Sequence, residues 1–370
     1  MNNEKQKTPE IQIKQRKIGP GHSVYVIAEM SANHNQSFDE AVKIIHAAKE
    51  AGVDAVKIQT YTADTMTLPL KKKFFQIGGG TLWDGETLHA LYERAHTPWE
   101  WHPKLKTIAE ELGLDFFSTP FDDTAVDFLE EQDVPVYKVA SFEIVDLPLI
   151  QKIARTGKPM IISTGMASLA EIEEAVHTAR KEGNTQIALL KCTSAYPARP
   201  QDMNLRTIPH LAATFGVPAG LSDHSLAMEV PVTAVGLGAC LVEKHLTFSR
   251  KVPSADSGFS LEPQEFKNMV TAIRVAEEAL GTVSYSLSEL EQKSRVFRRS
   301  IFVVKNMKAG ESFTEQNLRI IRPGQGLAPK YLTDVLRRQA SCDIEAGTPL
   351  EWNHISGKPL AAAMKEGLRD

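Results

Sequence analysis

The sequence predicts a TIM (βα)8 barrel followed by a small β-rich module. Eight short apolar runs recur along the first three quarters of the chain, with helical patterns between them. Parallel strands buried on both faces read as such continuous runs. Nearly every run ends in a residue able to do chemistry, and a TIM barrel gathers its active site at the C-terminal strand ends. The length, 370 residues of which 42% are hydrophobic, suits one large barrel with a small extra domain.

The runs, in order, are VYVIAE ending at Glu29, AVKIQT with Lys57 and Gln59, and DFFSTP with Ser118 and Thr119. VYKVAS carries Lys138 and Ser141, and PMIIST carries Ser163 and Thr164. IALLKCTS has Thr193 and Ser194, AGLSDH has Asp223 and His224, and CLVEKH has Glu243 and His245. Ser37 with Glu40 and Ser168 with Glu171 have the spacing of capping boxes, each ahead of apolar residues that share one helical face. Gly52, Gly113, Gly157 and Gly183 fall where helices should turn into strands. An insertion over 61–98, with Gly78, Gly79, Gly80 and Trp83, interrupts the regular spacing at a usual place for substrate specificity. A helix at about 262–280, after Pro263, closes a barrel domain of residues 18–284. Residues 285–299 read as a polar linker, and 300–357 as the small module. In that module Ala309-Gly310-Glu311-Ser312-Phe313 is echoed by Ala346-Gly347-Thr348-Pro349-Leu350, each copy with a turn, an apolar residue and a short closing helix. The tail after Ser356 reads as unstructured or weakly helical.

The formal net charge of −4 gives no sign of nucleic-acid binding. Cys192, Cys240 and Cys342 are few and widely spaced, as in a reducing compartment. The first residues are polar with no signal-peptide core, and no run approaches the roughly 20 apolar residues of a membrane span. The expectation is a cytoplasmic protein without membrane or nucleic-acid partners.

His224 and His245 end adjacent strands, where two imidazoles can converge on Mn²⁺, Fe²⁺ or Zn²⁺. Asp223 and Glu243 flank them, and the competing reading is a pair of structural histidines hydrogen-bonded at the barrel mouth. Lysines in buried strands are costly unless paired. Lys57 and Lys138, with Ser118, Thr119, Ser141, Ser163 and Ser194, describe a donor-rich pocket for an anion carrying phosphate and carboxylate; the alternative pairs each lysine with a structural carboxylate such as Glu29 or Glu143. Neither GxGxxG nor GxxxxGK[ST] occurs, which argues against a nucleotide. Tyr196-Pro197 either lines the pocket or forms a turn, and Tyr92, Trp99 and Trp101 read as core more readily than as a ligand platform.

Taken together, IAEMSANHN at 27–35, DAVKIQT at 54–60, STPFD at 118–122, KVASFEI at 138–144, STGM at 163–166, CTSAYP at 192–197, GLSDHS at 220–225, EKHLT at 243–247 and RPGQGL at 322–327 resemble the sialic acid synthase family. The resemblance spans about residues 18–357, and its specificity lies in the number and order of the pieces. It implies the barrel, an antifreeze-like (SAF) C-terminal domain, and a domain-swapped homodimer in which each small domain caps the partner's barrel. It also implies metal-dependent condensation of phosphoenolpyruvate with an N-acetylated amino-sugar aldehyde, the ion being Mn²⁺ with Mg²⁺ or Co²⁺ as alternatives. Carried over residue by residue, Lys57, Gln59, Thr119, Lys138, Ser141, Ser163 and Ser222 look like phosphoenolpyruvate ligands. His224 and His245 look like the metal ligands, and Glu143, Tyr196 and Asp256 like sugar contacts. Arg322 is similar to the arginine that reaches across from the partner. Ser194 departs from the Asn of several sialic acid synthases, which puts its phosphoenolpyruvate contact in doubt.

Within the family, Leu82-Trp83-Asp84-Gly85, LHALYERAHTPWEW at 88–101, SADSGFSLEP at 254–263 and FRRSIFVV at 297–304 are similar to pseudaminic acid synthases. Their sugar aldehyde is a 6-deoxy compound with two acetamido groups, for which an apolar insertion is chemically reasonable. His224 and His245 are the expected metal-binding catalytic pair, with Glu29 or Glu143 moving protons. Competing readings are N-acetylneuraminate, legionaminate or spore-coat nonulosonic acid synthesis, another phosphoenolpyruvate-condensing barrel acting on a phosphorylated sugar, and a non-catalytic carbohydrate-binding protein.

Overall fold

The computed structural model describes residues 9–357, which form two compact units divided between Gly281 and Thr282; the tail lies outside the described residues. In the first unit a hairpin, β1 (Ile11–Ile13) and β2 (Arg16–Ile18), precedes a closed barrel. Its strands are β3 (Tyr25–Glu29), β4 (Ala55–Thr60), β5 (Asp115–Pro120), β6 (Tyr137–Val139), β7 (Met160–Ser163), β8 (Ile187–Cys192), β9 (Ala219–Asp223) and β10 (Leu241–His245). All pairs are parallel, and β10 closes on β3. These are the eight apolar runs, each matched in full or to within two residues at either end. Helices Phe38–Ala51, His102–Glu111, Asp123–Glu131, Leu147–Arg155, Leu169–Lys181, Thr207–Phe215, Glu229–Gly236 and Pro263–Leu280 follow the strands in turn. The result is the expected TIM barrel.

Local chemistry sets the helix ends. Ser168 and Glu171 form the reciprocal capping box. Ser37 accepts from the Glu40 amide, but the Glu40 carboxylate turns to Lys43 at 2.6 Å instead of closing a box. Gly52 ends its helix at φ 82°, a left-handed conformation that favours glycine, and Gly113, Gly157 and Gly183 do likewise.

The hairpin lies across the N-terminal strand ends. Ile11, Ile13 and Ile18 are fully buried in one core cluster with Tyr25, Ala55 and Phe117. Around it Arg16 pairs with Asp54, Arg274 bridges Asp54 at 2.9 Å and Glu277 at 2.8 Å, and Asp54 accepts from the Val26 amide. Val24 donates its N–H to Glu277, and Lys14 reaches Asp115 at 3.2 Å. That end of the barrel is closed by apolar packing inside a ring of ion pairs.

The second unit has a core of Ile301, Val303, Phe313, Leu318, Ile344 and Leu350. Its antiparallel strands are β11 (Ser300–Val303) and β12 (Leu318–Ile321). The repeat is visible in the backbone: Gly310 (φ 83°) and Gly347 (φ 92°) make equivalent turns, and three residues on Phe313 and Leu350 enter the core. A closing 3-10 helix, Trp352–His354, follows the second copy, while the first closes in a simple turn. Within 285–299 the helix Glu289–Ser294 is capped by Ser288 and Glu291.

Candidate active site

At the C-terminal end of the barrel the strand ends surround a cavity of about 520 Å³. Lys57, Gln59, Thr119, Lys138, Ser141, Glu143, Ser163, Tyr196, Ser222, His224, His245 and Asp256 all line it. They sit on or just beyond the ends of β4 to β10, some strands supplying two or three because inward positions alternate along a strand. Glu29 and Ser194 do not line it, and Arg322 belongs to the second unit.

The floor of the cavity is a buried charge cluster. Lys57, 3% exposed, pairs with Glu29 and stands 3.8 Å from Glu243. Lys138, 2% exposed, stands 3.7 Å from the other Glu243 oxygen. Both lysines are therefore paired with buried carboxylates, but Glu143 is not the partner of either; Glu243, two residues before His245, serves both. Ser222 Oγ donates to Glu243 at 3.1 Å. Burial pushes the Glu243 carboxyl up, yet Lys138 and Lys57 together hold it below the usual range. Burial also lowers Lys57, but Glu243 and Glu29 outweigh that and keep it firmly protonated. Glu29, enclosed behind Lys57, is pushed up to about 7 by burial, with Lys57 opposing and Glu243 reinforcing the rise. The expected place of Glu29 as a carboxylate facing the substrate is thus taken by Glu243.

The lysines keep donors aimed into the cavity. Lys57 Nζ donates to Thr119 Oγ1 at 3.1 Å, and Lys138 Nζ to Ser163 Oγ at 2.7 Å. Ser141 Oγ accepts from the Gly165 amide at 3.1 Å. A side chain at Gly165 would overlap the hydroxyls of Ser141 and Ser194, so glycine is needed for the chain to pass between them. Ser194 packs beneath Gly165 rather than into the cavity. Ammonium and hydroxyl groups of this kind, shielded from water, suit a small polyanion.

On another side stand the histidines, their ring centroids 5.3 Å apart. His224 Nδ1 donates to the Thr193 carbonyl at 3.1 Å, which leaves Nε2 free. Burial and then the neighbouring His224 hold His245 well below its usual value, so it is neutral. Its Nδ1 is buried without a hydrogen-bond partner, 3.9 Å from Asp256. An orphaned imidazole nitrogen beside a second free imidazole nitrogen is a donor set that fits a divalent cation. No cluster of three or more His, Cys, Asp or Glu side chains suited to a metal occurs among the described residues. Water and substrate would have to complete the sphere.

Cys192 went unremarked as a site residue. It lines the cavity 3.8 Å from His224 Nδ1, and despite burial the imidazole brings its thiol down to about 7. Glu143 projects into the cavity from the turn after β6, pushed up to about 7 by burial.

The insertion covers one wall. Asp84 accepts from the amides of Gly80 and Thr81 at 2.8 Å and tightens the loop. This presents Trp83, whose Nε1 donates to Ala255 O at 2.9 Å. Trp83 packs on Tyr196 and Phe259, with centroids 5.7 and 6.5 Å apart. Tyr92 joins the lining, whereas Trp99 and Trp101 pack on Phe128 and Phe38, as core residues do.

Comparison with known proteins agrees with this architecture. The NeuB family model matches residues 44–285, and the SAF domain model matches 298–356. A pseudaminic acid synthase of Helicobacter pylori is 45% identical over 331 residues, covering 89% of this chain and 97% of the relative. One from Campylobacter jejuni subsp. jejuni serotype O:23/36 is 47% identical over 328 residues, covering 89% and 95%. The crystal structure of N-acetylneuraminic acid (sialic acid) synthetase from Leptospira borgpetersenii in complex with citrate superposes with a TM-score of 0.70 at 31% identity, covering 78% of this chain and 95% of that one. With the barrel, the small C-terminal module and the cavity all accounted for, the chain belongs to the NeuB family.

Proposed function

We propose that the protein is a pseudaminic acid synthase, condensing phosphoenolpyruvate with 2,4-diacetamido-2,4,6-trideoxy-altrose to give pseudaminic acid and phosphate. The observation that carries the chemistry is the meeting, in one cavity, of the Lys57–Lys138 donor floor with the His224–His245 pair. The choice of sugar rests on likeness to two pseudaminic acid synthases and on the apolar wall around Trp83. Lys57, Thr119, Lys138, Ser163, Ser141 and Ser222 would hold phosphoenolpyruvate with its C3 toward the sugar aldehyde. C3 attacks the aldehyde carbon, and positive charge appears at C2. Water adds there, and the tetrahedral carbon expels phosphate with C–O cleavage. The floor stabilises charge on the anion, and Glu143, titrating near neutrality, is placed to hold or release a proton. His224 and His245 would hold a divalent ion, Mn²⁺ before Mg²⁺ or Co²⁺. When bound, such an ion supplies Lewis-acid polarisation of the aldehyde oxygen. Phosphate release from phosphoenolpyruvate and Mn²⁺ should occur with the trideoxy-altrose and not with N-acetylmannosamine. Release only with N-acetylmannosamine would keep the condensation and overturn the choice of sugar; release with neither sugar nor any legionaminic-type precursor would overturn both.

A domain-swapped homodimer in the cytoplasm belongs to the same reading. Phe142, Met166, Leu226 and Phe248, on loops after β6, β7, β9 and β10, are 45–62% exposed at the mouth end of the barrel. Apolar residues displayed at one end of a molecule favour a covering partner. Arg322, exposed at the end of β12, would then serve the partner's cavity. A charge-assisted contact is worth about 1.5–3 kcal/mol, or roughly 10–100-fold in rate. Arg322→Ala should lower kcat/KM by about that factor without shifting Tm; unchanged kcat/KM would remove the arginine from the site.

A further inference from the structure

The two histidines each follow a residue that points the other way. Asp223 and Lys244 are adjacent in the β9–β10 register and are both fully buried. Neither lines the cavity, whereas Ser222, Glu243, His224 and His245 do. Lys244 Nζ meets Asp223 Oδ2 at 2.5 Å and also donates to the Ser225 carbonyl. The other Asp223 oxygen accepts from the Ser225 amide at 2.8 Å. One lysine, on the residue before His245, therefore grips the turn on both sides of His224.

An apolar pair at these outward positions would pack the barrel at least as well, because desolvating two charges offsets most of their attraction. What an apolar pair lacks is direction: it cannot fix the 223–225 turn against β10. We propose that Asp223 and Lys244 are positioning residues that set the separation and aim of the His224–His245 pair before any cation arrives. Thr193 O orients the His224 ring, and the Asp223–Lys244 clamp places its backbone. This assignment rests on the reading of the histidines as a divalent-cation site.

The test is calorimetric titration of chelator-treated, full-length protein with Mn²⁺ alone, without substrates. Asp223→Leu with Lys244→Met removes both charges and leaves no uncompensated ion. This variant should keep a Tm at or above the parent's and lose about 10–100-fold in Mn²⁺ affinity, the usual cost of a missing outer support. Asp223→Asn with Lys244→Gln keeps neutral hydrogen bonds across the same gap, and should bind Mn²⁺ within about threefold of the parent if position is what matters. Parent-like affinity in the apolar pair overturns the clamp. If the apolar pair fails to fold, a loss beyond tenfold in the amide pair overturns it, because charge and not placement would then govern affinity. A parent that binds no Mn²⁺, with His224→Ala indistinguishable from it, overturns the cation site and the clamp together.

Discussion

His224→Ala should abolish metal-dependent phosphate release while leaving the fold intact. His224 is buried, but among the described residues its imidazole is anchored only by one backbone carbonyl and Cys192, and it faces the cavity, so truncation costs little stability. What disappears is one of two imidazoles available to a cation. Lewis-acid assistance is worth several kcal/mol, about a thousandfold or more in rate. The check is a phosphate-release assay across a Mn²⁺ series, beside a thermal melt. Near-parental turnover at low Mn²⁺ would remove the histidine pair from the chemistry. Turnover recovered only at high Mn²⁺ would show that His245, with water and substrate, still holds the ion weakly.

The second large effect concerns Lys57, which is shared by Glu29 and Glu243. Lys57→Met leaves Glu29 buried without its cation and takes one of two cations from Glu243. Breaking a buried pair from one side costs about 3–5 kcal/mol, readable as a lower urea midpoint. Adding Glu29→Gln should restore more than half of that loss, because Glu243 keeps Lys138 and Ser222. Neither variant should regain activity, since the anion has lost a donor at its deepest point. A parental urea midpoint in Lys57→Met would show that the pairs contribute nothing to the fold. A double variant no more stable than the single would show that Glu29 is not the uncompensated partner.

The barrel was legible because each of its strands is covered on both faces and so writes an unbroken apolar run. The candidate site was legible for the same reason: Lys57 or His245 stands out against valine and isoleucine. The pairing inside the barrel was not. Lys57 on β4 and Glu243 on β10 meet across the interior, and nothing local in EKHLT marks Glu243 as the shared carboxylate. Glu29 looked as exposed to chemistry as Glu143, yet closure of the sheet puts Lys57 between it and the cavity. The first hairpin was missed because its strands are three residues long and its signal is only the spacing of Ile11, Ile13 and Ile18. Trp83 was marked by its loop, but its bond to Ala255 joins two loops far apart in sequence. Ser37–Glu40 shows the limit of local rules: the motif is present, and Lys43 diverts the carboxylate.

The barrel is filled by its own side chains, so the cavity is a cup, and the hairpin across the strand N-termini covers its base. With the far end stoppered by three isoleucines and a ring of ion pairs, traffic has a single doorway. A group held on the lysine floor would have to enter before one that fills the space around Trp83 and Tyr92. On the way out the order would reverse, a fragment on the floor leaving after whatever lies above it. Such a queue would follow from the shape of the cavity and not from the affinities within it.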